Sequence, residues 1–317
     1  MNILISGGTG FLGSAFSDEI IKRYYQTGKE VAITWLTRDT SQAHPEAISM
    51  ITYDELANTD NSYDVIMNLA GAGIADSRWS DERKEALLAS RIKPTESLLA
   101  FIARTPNKPK LLLSGSAIGW YGTQGDTPLN ESSSFEPDFA HRLCEDWEQL
   151  ALKATEYSVP VAIVRTGVVI HPSGGMLGKL LMPFKFGVGG QLGDGKQIMS
   201  WISRDDWVGA AIFIIEQHLA NNVETHNNTL NTTSDTPAVV YNLTAPNPVT
   251  NHTFTKDVGA WLHRPTIFTL PEFLLKLMFG EMSTLLIDGQ KVLPKALLEA
   301  GYKFKQPTLE KALAGRN

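Results

Sequence analysis

Short apolar runs alternate with amphipathic stretches along the first 170 residues, and that rhythm predicts the elements. NILIS (2–6), EVAITWLTR (30–38), AISMITY (47–53), YDVIMNLAG (63–71), PKLLLSG (109–115) and VPVAIVRTGVVI (159–170) read as strands. Between them, FLGSAFSDEIIKRYYQ (11–26), residues 81–104 and residues 138–157 read as helices, the second kinked or broken at Pro94. Strand and helix in turn is the βαβ pattern of a parallel sheet, so the fold class is α/β.

After residue 170 the texture changes. The stretch 171–197 is Gly-rich and apolar at once, as expected of a binding loop or lid. RDDWVGAAIFIIEQHLA (204–220) reads as a helix whose acidic first turn suits its dipole. The polar stretch 221–237 reads as a surface loop, AVVYNLTA (238–245) as a late strand returning to the sheet, and 250–317 as mainly short helices.

GGTGFLG (7–13) places Gly7, Gly10 and Gly13 between the first strand and the first helix. That context gives the spacing its meaning: a tight turn at Gly7, close approach of a pyrophosphate at Gly10, and helix–sheet packing at Gly13. The helix N-terminus offers N–H donors to the anion. The second strand ends WLTRDT, with Arg38 where an acid would accept hydrogen bonds from ribose hydroxyls. A guanidinium fork suits a 2′-phosphate, so the expected cofactor is NADP(H).

Composition narrows the partners. A formal net charge of −6 argues against a nucleic-acid or anionic-membrane binder, leaving a small-molecule substrate. The single cysteine, Cys144, suits a reducing compartment, and no apolar run approaches a membrane span; the default expectation is the cytoplasm. Seven histidines without ligand spacing give no metal signal. Four glycosylation-type tripeptides carry little meaning without a signal peptide.

With GGTGFLG, NLAG and SGSAIGWYG in order, the chain resembles the extended short-chain dehydrogenase/reductase superfamily. Within it, the chain is most similar to the nucleotide-sugar-epimerase-like branch. The resemblance rests further on NLAGAGIADSRWSDERKEALLASRI (68–92), LCEDWE (143–148), VRTGVVI (164–170), GDGKQIMSWISRDDWVGA (193–210) and the tail 279–304. It implies a doubly wound parallel Rossmann sheet with a smaller, mainly helical C-terminal substrate-side domain. The NADP-binding domain would be 1–172, its sheet completed by 204–245. Residues 173–203 and 246–317 would form the substrate side. Gly7, Thr9, Gly10, Phe11, Leu12 and Gly13 would hold the pyrophosphate, Thr37 and Arg38 the adenosine phosphate, and Leu69, Ala70 and Gly71 would line the cofactor. Ser114, Gly115 and Ser116 would face the nicotinamide. A homodimer through 81–104 and 138–157 follows by analogy only.

The chain departs from that superfamily at its usual acid. Aligned through WE, Ala140 and Cys144 stand where a Tyr-x-x-x-Lys belongs, and a one-residue shift gives Phe139 and Leu143. Tyr121 becomes the candidate proton donor, against a packing role beside Trp120, and Ser116 the candidate that orients a substrate carbonyl. Arg91 is a candidate for an anionic substrate, with Arg78 and Lys93 nearby; Trp201 is weighed between stacking on substrate and packing. His141 is expected at the surface, Cys144 buried, and Arg165 buried with a partner. The reading is an NADP(H)-dependent oxidoreductase or epimerase-like enzyme acting on a carbonyl or hydroxyl carbon. The competing reading is a protein that binds NADP(H) without turnover, as a redox sensor or scaffold.

Overall fold

A computed structural model describes residues 1–42, 44–227 and 237–314. Five strands, β1 (Asn2–Ser6), β2 (Ala32–Thr37), β3 (Ile48–Thr52), β4 (Val65–Asn68) and β5 (Leu111–Ala117), begin the sheet. A short strand β6 (Gly125–Leu129) lies outside it, β7 (Val161–Thr166) rejoins it, and β8 (Val168–His171) leaves it again. With the strand Ala238–Leu243, the sheet has seven parallel members in the order Ala238–Leu243, β7, β5, β4, β1, β2, β3. The order reverses between β1 and β4, and ligands of such sheets bind outside the carboxyl ends at that point.

Both faces of the sheet are covered, which is why its strands are apolar at consecutive positions. Helices α1 (Phe11–Gln26), α2 (Tyr53–Asn58), α3 (Asp81–Arg104), α4 (Phe139–Leu152), α5 (Gly175–Lys185) and α6 (Arg204–Asn227) follow in chain order. Ile3 and Ile5 of β1 bury against Phe16 and Ile20 of α1 and Trp207 and Ile214 of α6. Leu4, between them, points the other way, into a cluster with Leu98 and Ile102 of α3 and Ala151 of α4.

The structure revises several expectations. Helix α3 runs unbroken through Pro94, because side chains on both sides of it, Leu87 before and Leu98, Phe101 and Ile102 after, are buried in the fold. That packing outweighs the roughly 3 kcal/mol a mid-helix proline costs. The run 159–170 divides into β7 and β8 at Gly167, where a Cβ would lie 2.6 Å from the Ser200 carbonyl oxygen. The expected lid 171–197 contains helix α5, whose Leu177, Leu181 and Phe184 bury with Trp201 and Phe254. Residues 221–227 of the expected polar loop continue α6; 228–236 lie outside the described residues. Among the described residues, no helix is long and apolar enough to cross a membrane.

The C-terminal segment is latched to the start of α6 by a buried carboxylate. Asp206, with no exposed surface, accepts the N–H groups of Lys305 and Gln306, each at 2.8 Å, and the hydroxyls of Tyr302 and Ser203 at 3.2 and 3.3 Å. Burial first, and then the negative charge of Asp206, push the Tyr302 phenol far above its ordinary pKa. An acid read from sequence as a helix-dipole residue thus also anchors the chain about a hundred residues on. Replacing Asp206 by Ala leaves the N–H groups of Lys305 and Gln306 and the Ser203 hydroxyl without their acceptor, while Tyr302 keeps the 206 carbonyl at 3.1 Å. The change is expected to cost about 3 kcal/mol or more in urea unfolding; a loss below about 1 kcal/mol would contradict the latch.

Candidate functional site

The turn after β1 is built by what its glycines lack. Gly7 has φ +76°, and a Cβ there would sit 2.8 Å from the Leu69 carbonyl at the end of β4. A Cβ on Gly13 would collide with the Gly7 carbonyl oxygen. The turn therefore lies directly against β4, at the point where the strand order reverses. Helix α1 opens on an extended Gly10, with no capping side chain and no acid in its first turn. Its first N–H groups are left for an anion, with the helix dipole aligned to favour one. Thr9 and Gly10 are exposed and Phe11 and Leu12 half-buried, so this cradle lies open at the sheet's edge, beside the half-buried Leu69 and Ala70 and the exposed Gly71. These residues fit a dinucleotide pyrophosphate.

At the end of β2, Thr37 is buried and its hydroxyl accepts the Asp39 N–H at 3.2 Å. The Asp39 carboxylate accepts the Ser41 N–H at 2.8 Å, and hydrogen bonds from Ser41 hold its pKa below the usual carboxylate range. Arg38 is exposed, close enough to Tyr53 to oppose the rise in phenol pKa that burial causes. The acid of this strand end is thus engaged by its own turn, and Arg38 beside it is exposed.

Asn68 ties the edge together from β4. It accepts the Ser6 hydroxyl at 2.7 Å and donates to Thr95 of α3 at 2.8 Å. Beside it, Arg91 donates to the Leu87 and Ala72 carbonyls at 2.9 and 3.2 Å and lies 5.3 Å from the Trp147 ring. Burial lowers its pKa. Arg78 and Lys93 are both exposed.

Beyond β5 the polar side chains are closely paired. Ser114 is fully buried, its hydroxyl donating to the Gly115 carbonyl at 3.4 Å; a Cβ on Gly115 would lie 2.8 Å from Trp147. Ser116 donates to Glu148 Oε1 of α4 at 2.5 Å. Arg165 of β7, paired in register with Ser116, grips the same carboxylate twice: Nε to Oε1 at 2.9 Å and Nη2 to Oε2 at 2.8 Å. Its guanidinium lies 3.5 Å from the Trp120 ring centre. Although burial alone would lower the pKa of Arg165, the bonds and charge of Glu148 raise it overall.

Tyr121, the expected proton donor, has no exposed surface, and its hydroxyl donates to Asn242 Oδ1 at 2.8 Å. Asn242 in turn donates to the Leu293 carbonyl at 3.1 Å. Trp201 is likewise fully buried, its Nε1 donating to the Asn247 carbonyl at 3.0 Å. His141, expected at the surface, is 1% exposed: it stacks on Phe135 at 3.8 Å and its Nδ1 meets the Trp120 carbonyl at 2.5 Å. Helix α4 turns that position inward because it packs against the 3-10 turn Ile118–Tyr121.

The profile described as the NAD dependent epimerase/dehydratase family matches residues 3–229. The chain belongs to that family. A second profile, a domain of unknown function (DUF1731), matches residues 270–315. An epimerase family protein of Mycobacterium bovis is 36% identical, covering 98% of this chain and 96% of that protein. One from Staphylococcus epidermidis is 33% identical over 98% and 97% of the two chains. Among solved structures, human epimerase family protein SDR39U1 (isoform 2) with NADPH superposes with a TM-score of 0.83. It is 30% identical, and the match covers 99% of this chain and 98% of that one. A UDP-glucose 4-epimerase from Thermotoga maritima, at 18% identity and a TM-score of 0.72, shares the fold. A nucleotide cofactor of the NAD(P) type accords with the family and with the open glycine turn.

Family membership makes the departures in α4 more pointed. Ala140, Cys144 and Glu148 run down one helix face at four-residue spacing, all buried. Cys144 fills the space with an unreactive thiol, pushed up to about 11 first by burial and then by the charge of Glu148. One turn on, Glu148 is the residue the sequence reading passed over. The signal was present: an acid in line with buried small side chains needs a buried partner, and Arg165 had been expected to need one too. The neutral Cys144 thiol favours the folded state fully below the unfolded pKa, and this contribution is lost as pH rises through the folded one. Relative to Cys144→Ala, the protein is therefore expected to lose about 2–3 kcal/mol of stability between about pH 9 and 11; parallel pH–stability curves for the two proteins would contradict this.

Proposed function

We propose that the protein is an NADP(H)-dependent oxidoreductase or epimerase-like enzyme acting on a carbonyl or hydroxyl carbon of a small polar substrate. The observation that carries this reading is the glycine turn packed on β4 with an uncapped α1 above it. When bound, NADP(H) supplies hydride exchange at its nicotinamide. The chain's own groups do the rest. Gly7, Thr9, Gly10, Phe11, Leu12 and Gly13 seat the pyrophosphate, and Leu69, Ala70 and Gly71 flank the cofactor. Thr37 and Arg38 take the adenosine phosphate, since Asp39 is already held by Ser41. Ser114 and Gly115 shape the floor of the nicotinamide pocket, and Ser116 is the polar contact for the substrate oxygen. Arg91, a half-buried cation bonded to neutral acceptors, is the group to receive a substrate anion. Tyr121 and Trp201 serve this site as supports, with their polar atoms already bonded.

A second reading, NADP(H) binding without turnover, draws on one observation: the helix face that carries Tyr-x-x-x-Lys elsewhere in the superfamily here carries Ala140 and Cys144. Two measurements separate the readings. Arg38→Ala is expected to weaken NADPH binding at least tenfold while leaving NADH within about twofold; equal losses for the two cofactors would remove the case for NADP(H). In a screen of carbonyl compounds with NADPH and of alcohols with NADP⁺, turnover that Tyr121→Phe leaves within about threefold supports the enzyme and the supporting role of Tyr121. A wild type that binds NADPH yet turns over nothing favours the sensor. Independently of turnover, Tyr121→Phe is expected to lower stability by about 1 kcal/mol.

A further inference from the structure

Glu148 holds the hydroxyl proton of Ser116, and that fixes what Ser116 can offer. A serine hydroxyl has one proton and two lone pairs. The 2.5 Å bond to Glu148 Oε1 uses the proton, because a carboxylate gripped by two N–H donors of Arg165 can only accept. All three residues are at least 95% buried, so water does not compete for the arrangement. Among the described residues, the titratable and charged partners facing this group are Arg165 of β7, Tyr121 of the turn after β5, Cys144 and Glu148 of α4, and Arg91 of α3. The only carboxylate among them is Glu148.

We infer that Glu148 is a positioning residue that turns Ser116 into a hydrogen-bond acceptor, so that the substrate group seated against Ser116 is a hydroxyl rather than a bare carbonyl. This deepens the proposed function and reverses the expectation that Ser116 donates to a carbonyl. An alcohol offers Ser116 a proton; a ketone brings two lone pairs against two lone pairs. Arg165 completes the device by gripping both oxygens of Glu148, with the face of Trp120 on its other side.

The test reads the proton at position 116 directly and needs no natural substrate. In a Cys144→Ser background, Ser116→Cys places a single thiol at that position, and thiolate absorbance follows its ionisation. With Glu148 present, the thiol is expected to titrate above its ordinary value near pH 8.5. Adding Glu148→Gln is expected to lower the midpoint by about one pH unit or more. If that variant does not fold, Glu148→Asp, which keeps the charge but withdraws it, should move the midpoint in the same direction. An unchanged or raised midpoint overturns the inference.

The consequence for ligands is read by saturation-transfer NMR on protein mixed with NADP⁺, cyclohexanol and cyclohexanone. The alcohol is expected to give the stronger signal, and Ser116→Ala to abolish the preference. A stronger ketone signal, equal signals including none, or a preference that survives Ser116→Ala overturns it. NADPH titration of the same proteins keeps the two readings apart. Intact NADPH binding with the wrong polarity at Ser116 sinks this inference alone, whereas absent NADPH binding sinks the proposed function and leaves the thiol result standing.

Discussion

A buried carboxylate and a buried guanidinium, Glu148 and Arg165, are the pair on which the carboxyl edge of this sheet depends. Neither tolerates isolation: removing one partner of such a pair costs about 3–5 kcal/mol, mostly from the charge left behind. Because one partner sits on α4 and the other on β7, the pair fixes where the helix lies over the strand. Ser116 is held in the same clasp from β5. Trp120 and Tyr121 extend it outward, since the Arg165 guanidinium also stands 5.0 Å from the Tyr121 ring. Tyr121 then joins the strand Ala238–Leu243 and the C-terminal segment through Asn242 and Leu293. One ionic contact thus orders residues from six parts of the chain.

The C-terminal segment closes on the sheet through carboxylate acceptors, one half-buried and one buried. Glu131 Oε1 takes the N–H groups of Asn242 and Ala296 at 3.0 and 3.2 Å, and Asp206 takes those of Lys305 and Gln306. Side-chain carboxylates accept from backbone donors that would otherwise be lost in the interior. Their effect is to hold residues 290–306, which carry no long element of their own, against a rigid parallel sheet.

Much of this was legible in the sequence, and the limits have physical causes. The strands were readable because a doubly covered sheet needs unbroken apolar runs. The glycine turn was readable because its three glycines have distinct steric duties. That Arg38 stands exposed just past a strand was readable from where the apolar run of β2 ends. Tyr121 misled because a tyrosine after a strand looks the same in sequence whether its hydroxyl faces a cleft or an asparagine 121 residues away. His141 misled for a similar reason, its burial being decided by the aromatic cluster of Trp120 and Phe135. Glu148, in line with Ala140 and Cys144, needs a buried partner, but only the fold decides that Arg165 of β7 and Ser116 of β5 supply it. Asp206 shows the same limit, since its bonds reach a segment that nothing local predicts.

The central claim is that the carboxyl edge between the glycine turn and the Ser116–Glu148–Arg165 clasp receives an NADP-type dinucleotide with its reactive end beside Ser116. A crystal structure of the protein grown with NADP⁺ tests it most directly. The account predicts pyrophosphate on the first turn of α1, the 2′-phosphate on Arg38, and the nicotinamide in van der Waals contact with the Ser116 side of β5. A dinucleotide bound with its nicotinamide turned away from Ser116, or the same crystals without bound nucleotide at saturating concentration, would contradict it.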